Sequence, residues 1–131
     1  MKTVLVVEDN TNLASILRRR FTDDGFDVSV LNDGYALLTR LGDKINPAPD
    51  AVILDVRLPG RSGHELLDRI KTVWTKAKVF IFSAHAEYRV MMRRELVEGF
   101  FLKTDGIENL LEAVDRSITQ NREGSGTEPN T

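Results

Sequence analysis

The chain has 131 residues, a formal net charge of −2 and 41% hydrophobic residues, which suits one compact globular domain. The near-neutral charge disfavours direct binding to nucleic acid, and the absence of cysteine excludes disulfides and thiolate metal sites. No apolar run approaches the roughly 20 residues that span a bilayer, and the short run before Glu8 does not form a secretory signal. We therefore expect a cytoplasmic protein without a membrane partner.

Short apolar runs recur along the chain, each bounded by polar residues. They are residues 4–7, 28–31, 51–54, 79–82 and 100–102. Continuous apolar runs of this length are typical of strands that are covered on both faces. We therefore predict five strands, of which residues 4–7 and 51–54 are expected to be buried on both faces.

A helical pattern follows each predicted strand. The first helix is expected to be capped by Asn10 or Thr11, and the second by Asp33. The third follows a loop rich in proline and glycine, and its predicted inward residues are Leu66, Leu67, Ile70 and Val73. The fourth and fifth helices are predicted at residues 86–97 and 106–121.

Strands that alternate with helices at this spacing indicate βαβ units. The predicted fold is therefore a doubly wound α/β domain, with a five-stranded parallel sheet in the order 2-1-3-4-5 and helices on both faces. We assign residues 1–122 to this domain. Residues 123–131 are polar and are predicted to form a disordered tail or the beginning of a linker. Such a segment would look the same in a stand-alone protein and in a piece of a longer chain.

Polar residues stand where four of the predicted strands end. Glu8 and Asp9 follow the first strand, Asp55 the third, Ser83 the fourth and Lys103 the fifth. Ligands of such sheets bind at the carboxyl ends of the strands. A cluster of carboxylates favours Mg²⁺, and a carboxylate beside that ion can accept a phosphoryl group. We predict Asp55 as the nucleophile, with Lys103 and Ser83 contacting phosphoryl oxygens.

Four short segments carry a family resemblance. They are the Glu8-Asp9 pair and residues 55–63, 82–84 and 100–103. Together, and in this order, they resemble the response-regulator receiver family of two-component signalling, over about residues 2 to 121. The resemblance implies a flavodoxin-like receiver fold, a sensor histidine kinase or histidine phosphotransfer protein as phosphodonor, and no turnover of an external substrate.

The resemblance also implies a ligand set for Mg²⁺. Asp9 and Asp55 would bind the ion directly, Glu8 would act largely through water, and Arg57 would contribute its backbone carbonyl. The phosphorylated domain would then change its binding to a downstream protein that the sequence leaves unknown, or pair with a second copy as a homodimer.

Further roles follow from the same resemblance. The Ser83 hydroxyl and the Phe100 ring would form the switch, because the ring can enter the space that the hydroxyl vacates. Arg57 and His85, each two residues beyond a site residue, would tune dephosphorylation by limiting access of water. Arg89, which belongs to a basic cluster with Arg93 and Arg94, is expected to be a solvated surface residue.

The chain departs from the family pattern in two places. Thr104 follows Lys103 where many receivers have a proline after a cis bond. The stretch from Ser83 to Lys103 is about two residues shorter than the family pattern, so we expect a shortened or reset fourth helix.

Three alternatives to a phosphoacceptor were weighed. A magnesium-dependent phosphohydrolase would need a second aspartate where Arg57 stands. A flavin-binding domain would need a phosphate-binding loop where Glu8 and Asp9 would repel phosphate. A degenerate receiver, acting as an interaction module independent of phosphorylation, is disfavoured because the five polar residues at the strand ends are all present.

Overall fold

The computed structural model describes the backbone of residues 1–127 and the side chains of residues 1–119. The main sheet consists of five strands: β1 (Thr3–Val7), β2 (Asp27–Leu31), β3 (Ala51–Leu54), β4 (Lys78–Ser83) and β5 (Gly99–Leu102). All neighbouring pairs are parallel, in the order β2-β1-β3-β4-β5. The predicted doubly wound sheet with the order 2-1-3-4-5 is confirmed.

Within residues 1–127, five α-helices connect and flank the strands. They are α1 (Thr11–Asp23), α2 (Gly34–Leu41), α3 (Gly63–Val73), α4 (Tyr88–Met91) and α5 (Glu108–Thr127). The side chain of Asn10 accepts a hydrogen bond from the Leu13 N–H at 3.0 Å, and that of Asp33 accepts one from the Ala36 N–H at 2.8 Å. Both predicted caps therefore satisfy free N–H groups at helix starts, and Asn10 rather than Thr11 caps α1.

The two faces of the sheet bury separate apolar clusters. Alternate strand residues point to opposite faces, so Val7 and Leu54 pack with α2 and α3, whereas Val6 and Ile53 pack with α1 and α5. Burying one such side chain contributes about 1.5–3 kcal/mol. With both faces covered, the carboxyl-terminal edge of the strands is where polar side chains can gather.

The predicted bounds of the fourth helix, residues 86–97, were wrong, whereas the expected shortening of this helix is confirmed. In place of a helix over residues 86–97, the chain forms the single turn α4 and a 3₁₀ turn, Arg94–Leu96. Met92 and Arg93 between them are extended, with ψ of 146° and 107°. Extended chain covers about 3.3 Å per residue against about 1.5 Å in a helix, so a short connection reaches the start of β5 by giving up helical turns.

Two further expectations differ from the structure. Val73 was predicted to point inward, but it is 44% exposed, because Trp74 takes the inward position after Ile70. The fifth helix continues past its predicted end at residue 121 to Thr127, and adding residues to an existing helix costs little. Residues 128–131 of the predicted tail lie outside the described residues, and the domain boundary at residue 122 stays a prediction.

Within residues 1–127, no helix has both the length and the apolar character needed to cross a bilayer.

Candidate phosphoacceptor site

The predicted site residues converge at the carboxyl ends of the strands. Lys103 begins a 3₁₀ turn, Lys103–Asp105, directly after β5. Its Nζ lies 2.8 Å from Glu8 Oε1 and 2.9 Å from Asp55 Oδ2. One ammonium group thus joins the residue after β1 to the residue after β3, although Lys103 comes from the edge of the sheet.

Three carboxylates form a compact cluster. Glu8, Asp9 and Asp55 each offer an oxygen atom, and these atoms all lie within 4.8 Å of one another. Glu8 and Asp55 are buried, whereas Asp9 is exposed. An all-oxygen donor set that is open on one side fits a hard cation such as Mg²⁺, which keeps several waters when it binds.

Backbone contacts fix the position of Asp55. Its N–H donates to the Val7 carbonyl at 3.1 Å, which continues the β1–β3 pairing by one residue. Its Oδ1 accepts a hydrogen bond from the Arg57 N–H at 3.0 Å. The side chain is therefore oriented before any ligand binds.

A small hairpin after Asp55 leads into α3. It pairs Arg57–Leu58 with Arg61–Ser62 in antiparallel fashion, and Gly60 in its turn has a φ of +85°, which favours glycine. Gly63 follows, and a Cβ atom at this position would lie only 2.7 Å from Val56 Cα. The glycine thus lets the start of α3 approach the strand end that carries Asp55.

The electrostatics of the site depend on Lys103. Burial raises the pKa of Glu8, and the negative charge of Asp55 raises it further. The hydrogen bonds from Lys103 and from the Asn10 N–H lower this pKa, but they offset the rise only in part. Burial is the largest single effect on Lys103 and lowers its pKa. The hydrogen bonds to Glu8 and Asp55, together with the attraction of their charges, outweigh burial, so the pKa of Lys103 is raised overall. Lys103 is therefore an ammonium at neutral pH.

Ser83 and His85 form a turn at the end of β4. The buried Ser83 Oγ accepts a hydrogen bond from the His85 N–H at 3.0 Å and approaches the His85 carbonyl at 3.4 Å. The His85 ring extends toward the other side of the site, where its Nε2 lies 2.8 Å from Arg57 Nη1. The two predicted tuning residues are thus in direct contact.

Phe100 is half-buried on β5, opposite Ile81 in register. The guanidinium carbon of Arg89 lies 5.2 Å from the centre of its ring. Sequence reasoning placed Arg89 in a solvated basic cluster and missed this contact. The available signal was that Arg89 lies in the shortened segment that leads to Phe100.

Other contacts at the site were also missed. The Asn32 side-chain amide donates to the Glu8 carbonyl at 3.0 Å, and the Asn10 N–H donates to Glu8 Oε2 at 3.1 Å. The position of Asn32, directly after a predicted strand, was the available signal.

No cis peptide bond occurs among the described residues, so Lys103 reaches Asp55 with a trans bond to Thr104.

Comparison with known proteins finds relatives that are much longer than this chain and relatives of about its own length. The transcriptional regulator NtrC of Klebsiella pneumoniae is 28% identical over 120 residues, which cover 90% of this chain and 25% of NtrC. Sporulation initiation phosphotransferase F of Bacillus subtilis is 26% identical over 117 residues, which cover 88% of this chain and 92% of that protein. The chain therefore spans about a quarter of the length of NtrC and most of the length of the sporulation protein.

Solved structures show the same fold. The response regulator TrrA of Thermotoga maritima, in complex with Mg²⁺ and BeF, aligns with a TM-score of 0.77 at 27% identity, covering 88% of this chain and 98% of TrrA. A CheY-like receiver domain of Methanospirillum hungatei aligns with a TM-score of 0.82 at 18% identity, covering 94% of this chain and 98% of that one.

The family model of the response regulator receiver domain matches residues 4–115. This range includes all five strands apart from Thr3, the first residue of β1, and every residue of the site described above. The chain belongs to the response regulator receiver domain family.

Proposed function

We propose that Asp55 accepts a phosphoryl group from the phosphohistidine of a sensor histidine kinase or a histidine phosphotransfer protein. The observation that carries this proposal is the Lys103 ammonium, which lies 2.8 Å from Glu8 and 2.9 Å from Asp55 beside the exposed Asp9. A degenerate receiver would have no need to keep a buried carboxylate oriented between a cation and two further carboxylates.

The carboxylate cluster supports Mg²⁺ as the cofactor. Asp9, Asp55 and the Arg57 carbonyl would hold the ion, and Glu8 would contact it through water. When bound, the ion neutralises charge on the transferring phosphoryl group. Glu8 and Asp55 are already held close together by Lys103, so binding requires little rearrangement of the protein.

The protein's own side chains carry out the transfer of the phosphoryl group. As a carboxylate oxygen of Asp55 forms the new P–O bond, the P–N bond of the donor breaks and its electron pair returns to the imidazole ring. Lys103 moves its hydrogen bond from the carboxylate to a phosphoryl oxygen. The Ser83 hydroxyl, now bonded within its own turn, reorients to donate to a second phosphoryl oxygen.

Ser83 and Phe100 provide the switch. Phosphorylation adds about −1.5 to −2 charges at pH 7, which draws the hydroxyl toward Asp55 and opens space for the ring. The changed surface then binds a downstream protein, or a second copy of the chain in a homodimer. In this role the domain is a cytoplasmic signalling component that promotes only its own phosphorylation and dephosphorylation.

Arg57 and His85 control the return to the unphosphorylated state. Their contact at 2.8 Å spans the mouth of the site, between the loop after β3 and the loop after β4. This pair restricts the path of the water that hydrolyses the aspartyl phosphate.

The proposal is tested by incubation with phosphoramidate and Mg²⁺, followed by intact mass spectrometry. We expect the wild type to gain the mass of one phosphoryl group, and Asp55→Asn to gain none. Asp105→Asn is the matched control, because Asp105 is exposed on the same turn as Lys103. Modification of Asp55→Asn, or modification of the wild type that is independent of metal, would refute the assignment.

A further inference from the structure

Arg89 covers the ring of Phe100. The distance of 5.2 Å between the guanidinium carbon and the ring centre is within the range of a cation–π contact. Arg89 is exposed, and Phe100 is half-buried against the apolar cluster between the sheet and α3. The cation therefore lies on the side of the ring that faces away from the core.

The space around the ring is open on two sides. A cavity of about 490 Å³ extends from Phe100 toward Arg94 and Glu98, and another of about 360 Å³ extends toward Asp105 and Arg116. Arg89 and Phe100 line both cavities. Because phenylalanine has no hydroxyl group, a hydrogen bond cannot hold this ring in place, and the contact with Arg89 is the polar restraint on its outer face.

Three separate hydrogen bonds hold the segment between the phosphorylation site and Arg89. The His85 N–H donates to Ser83 Oγ at 3.0 Å, and the Tyr88 N–H donates to the His85 carbonyl at 3.4 Å. The Arg89 N–H donates to the Ala86 carbonyl at 3.0 Å. Because α4 is a single turn, cooperative helix formation contributes little to its stability, and hydrogen bonds such as these hold it in place.

We infer that Arg89 is a positioning residue for the switch: its guanidinium holds Phe100 outward while Asp55 is unphosphorylated. This inference rests on the proposed function. When the Ser83 hydroxyl turns to the phosphoryl group, it releases the His85 N–H, and the turn that carries Arg89 loses an anchor. Arg89 then leaves the ring, and Phe100 moves into the space beside Ser83.

The neighbouring Arg93 does not share this role. Arg93 lies 3.4 Å from Asp68 and 3.0 Å from Glu95, so its charge is engaged on the surface away from the ring. Arg93→Ala is therefore a matched control, with the same residue type, the same segment and a comparable exposure.

The test titrates beryllofluoride, a mimic of the phosphoryl group, in saturating Mg²⁺ and follows NMR signals of labelled phenylalanine. If Arg89 stabilises the unphosphorylated conformation, Arg89→Ala should reach half-saturation at about two- to fivefold lower beryllofluoride than the wild type. Without beryllofluoride, its Phe100 signals should lie part of the way toward the bound position. Arg93→Ala should match the wild type in both respects. Damage to the fold alone would weaken binding and would not strengthen it.

Each other outcome is informative. Unchanged or weaker binding by Arg89→Ala, with Phe100 signals at the wild-type position, overturns the role of Arg89 and leaves the phosphoacceptor function standing. A wild type that binds no beryllofluoride and gains no phosphoryl group at Asp55 overturns the proposed function, and the role of Arg89 with it.

Discussion

Lys103 Nζ donates a hydrogen bond to Asp55 Oδ2 at 2.9 Å, across a sequence separation of 48 residues. The same ammonium contacts Glu8 Oε1 at 2.8 Å, so it balances two buried carboxylates at once. Its removal should therefore change both the metal affinity of the cluster and its chemistry, in opposite directions.

Lys103→Met should bind Mg²⁺ more tightly than the wild type but accept less phosphoryl group. Repulsion between an ammonium group and a doubly charged ion is worth about 2 kcal/mol in water at an illustrative separation of about 4 Å, so its removal should raise the metal affinity roughly thirtyfold. Calorimetric titration measures the affinity, and intact mass after phosphoramidate treatment measures the phosphorylation. Lys78→Met is the control, because Lys78 pairs with Glu98 at 3.5 Å at the opposite end of the sheet.

Asp9→Asn should lose most of its affinity for Mg²⁺ while keeping its stability. Asp9 is exposed, so the substitution leaves no buried group without a partner. Loss of one direct carboxylate ligand should weaken binding by tenfold or more, roughly 1.4 kcal/mol or above. Thermal unfolding with and without Mg²⁺ measures this, because a bound ion raises the midpoint. An equal rise in the midpoint for Asp9→Asn and wild type would remove Asp9 from the ligand set.

The sequence was sufficient to predict the charged residues at the centre of the site, but not the contacts of Asn32 and Asn10 with Glu8. Parallel strands bring their carboxyl ends to one edge, so Glu8, Asp55 and Lys103 were expected to converge once five parallel strands were predicted. The caps at Asn10 and Asp33 followed from local hydrogen-bonding preferences. These features depend on local pattern and topology, which a single sequence contains.

Features that depend on distances between elements were predictable only in part, because the short stretch from Ser83 to Lys103 indicated a shortened fourth helix but not where it breaks. The break at Met92 reflects how far the chain must travel from β4 to β5, and it buries Met92 while Val90 is left 88% exposed. The contact of Arg89 with Phe100 depends on how this short segment crosses β5. Hydrophobic periodicity carries no information on either distance.

Gly63→Ala should destabilise the domain and slow phosphorylation. The added Cβ would lie 2.7 Å from the Cα of Val56, so the backbone beside Asp55 must move. Such overpacking costs about 1–3 kcal/mol. Urea unfolding gives the stability. Gly42→Ala is the control, because the nearest atom to its Cβ would be at 3.5 Å, and we expect a change within about 0.5 kcal/mol.

Arg57→Ala and His85→Ala should each shorten the lifetime of the aspartyl phosphate. The two side chains meet at 2.8 Å, so under the proposed role in limiting water access, removal of either one should open the same path for water. We expect hydrolysis to accelerate by up to about tenfold, equivalent to about 1.4 kcal/mol of barrier. Because the two residues act as a pair, the double variant should hydrolyse no faster than the faster single variant.

Loss of phosphoryl mass over time measures the rate, with Arg93→Ala as control. Lifetimes equal to that of the wild type would show that this pair does not gate water, whereas additive effects in the double variant would show that each residue acts alone.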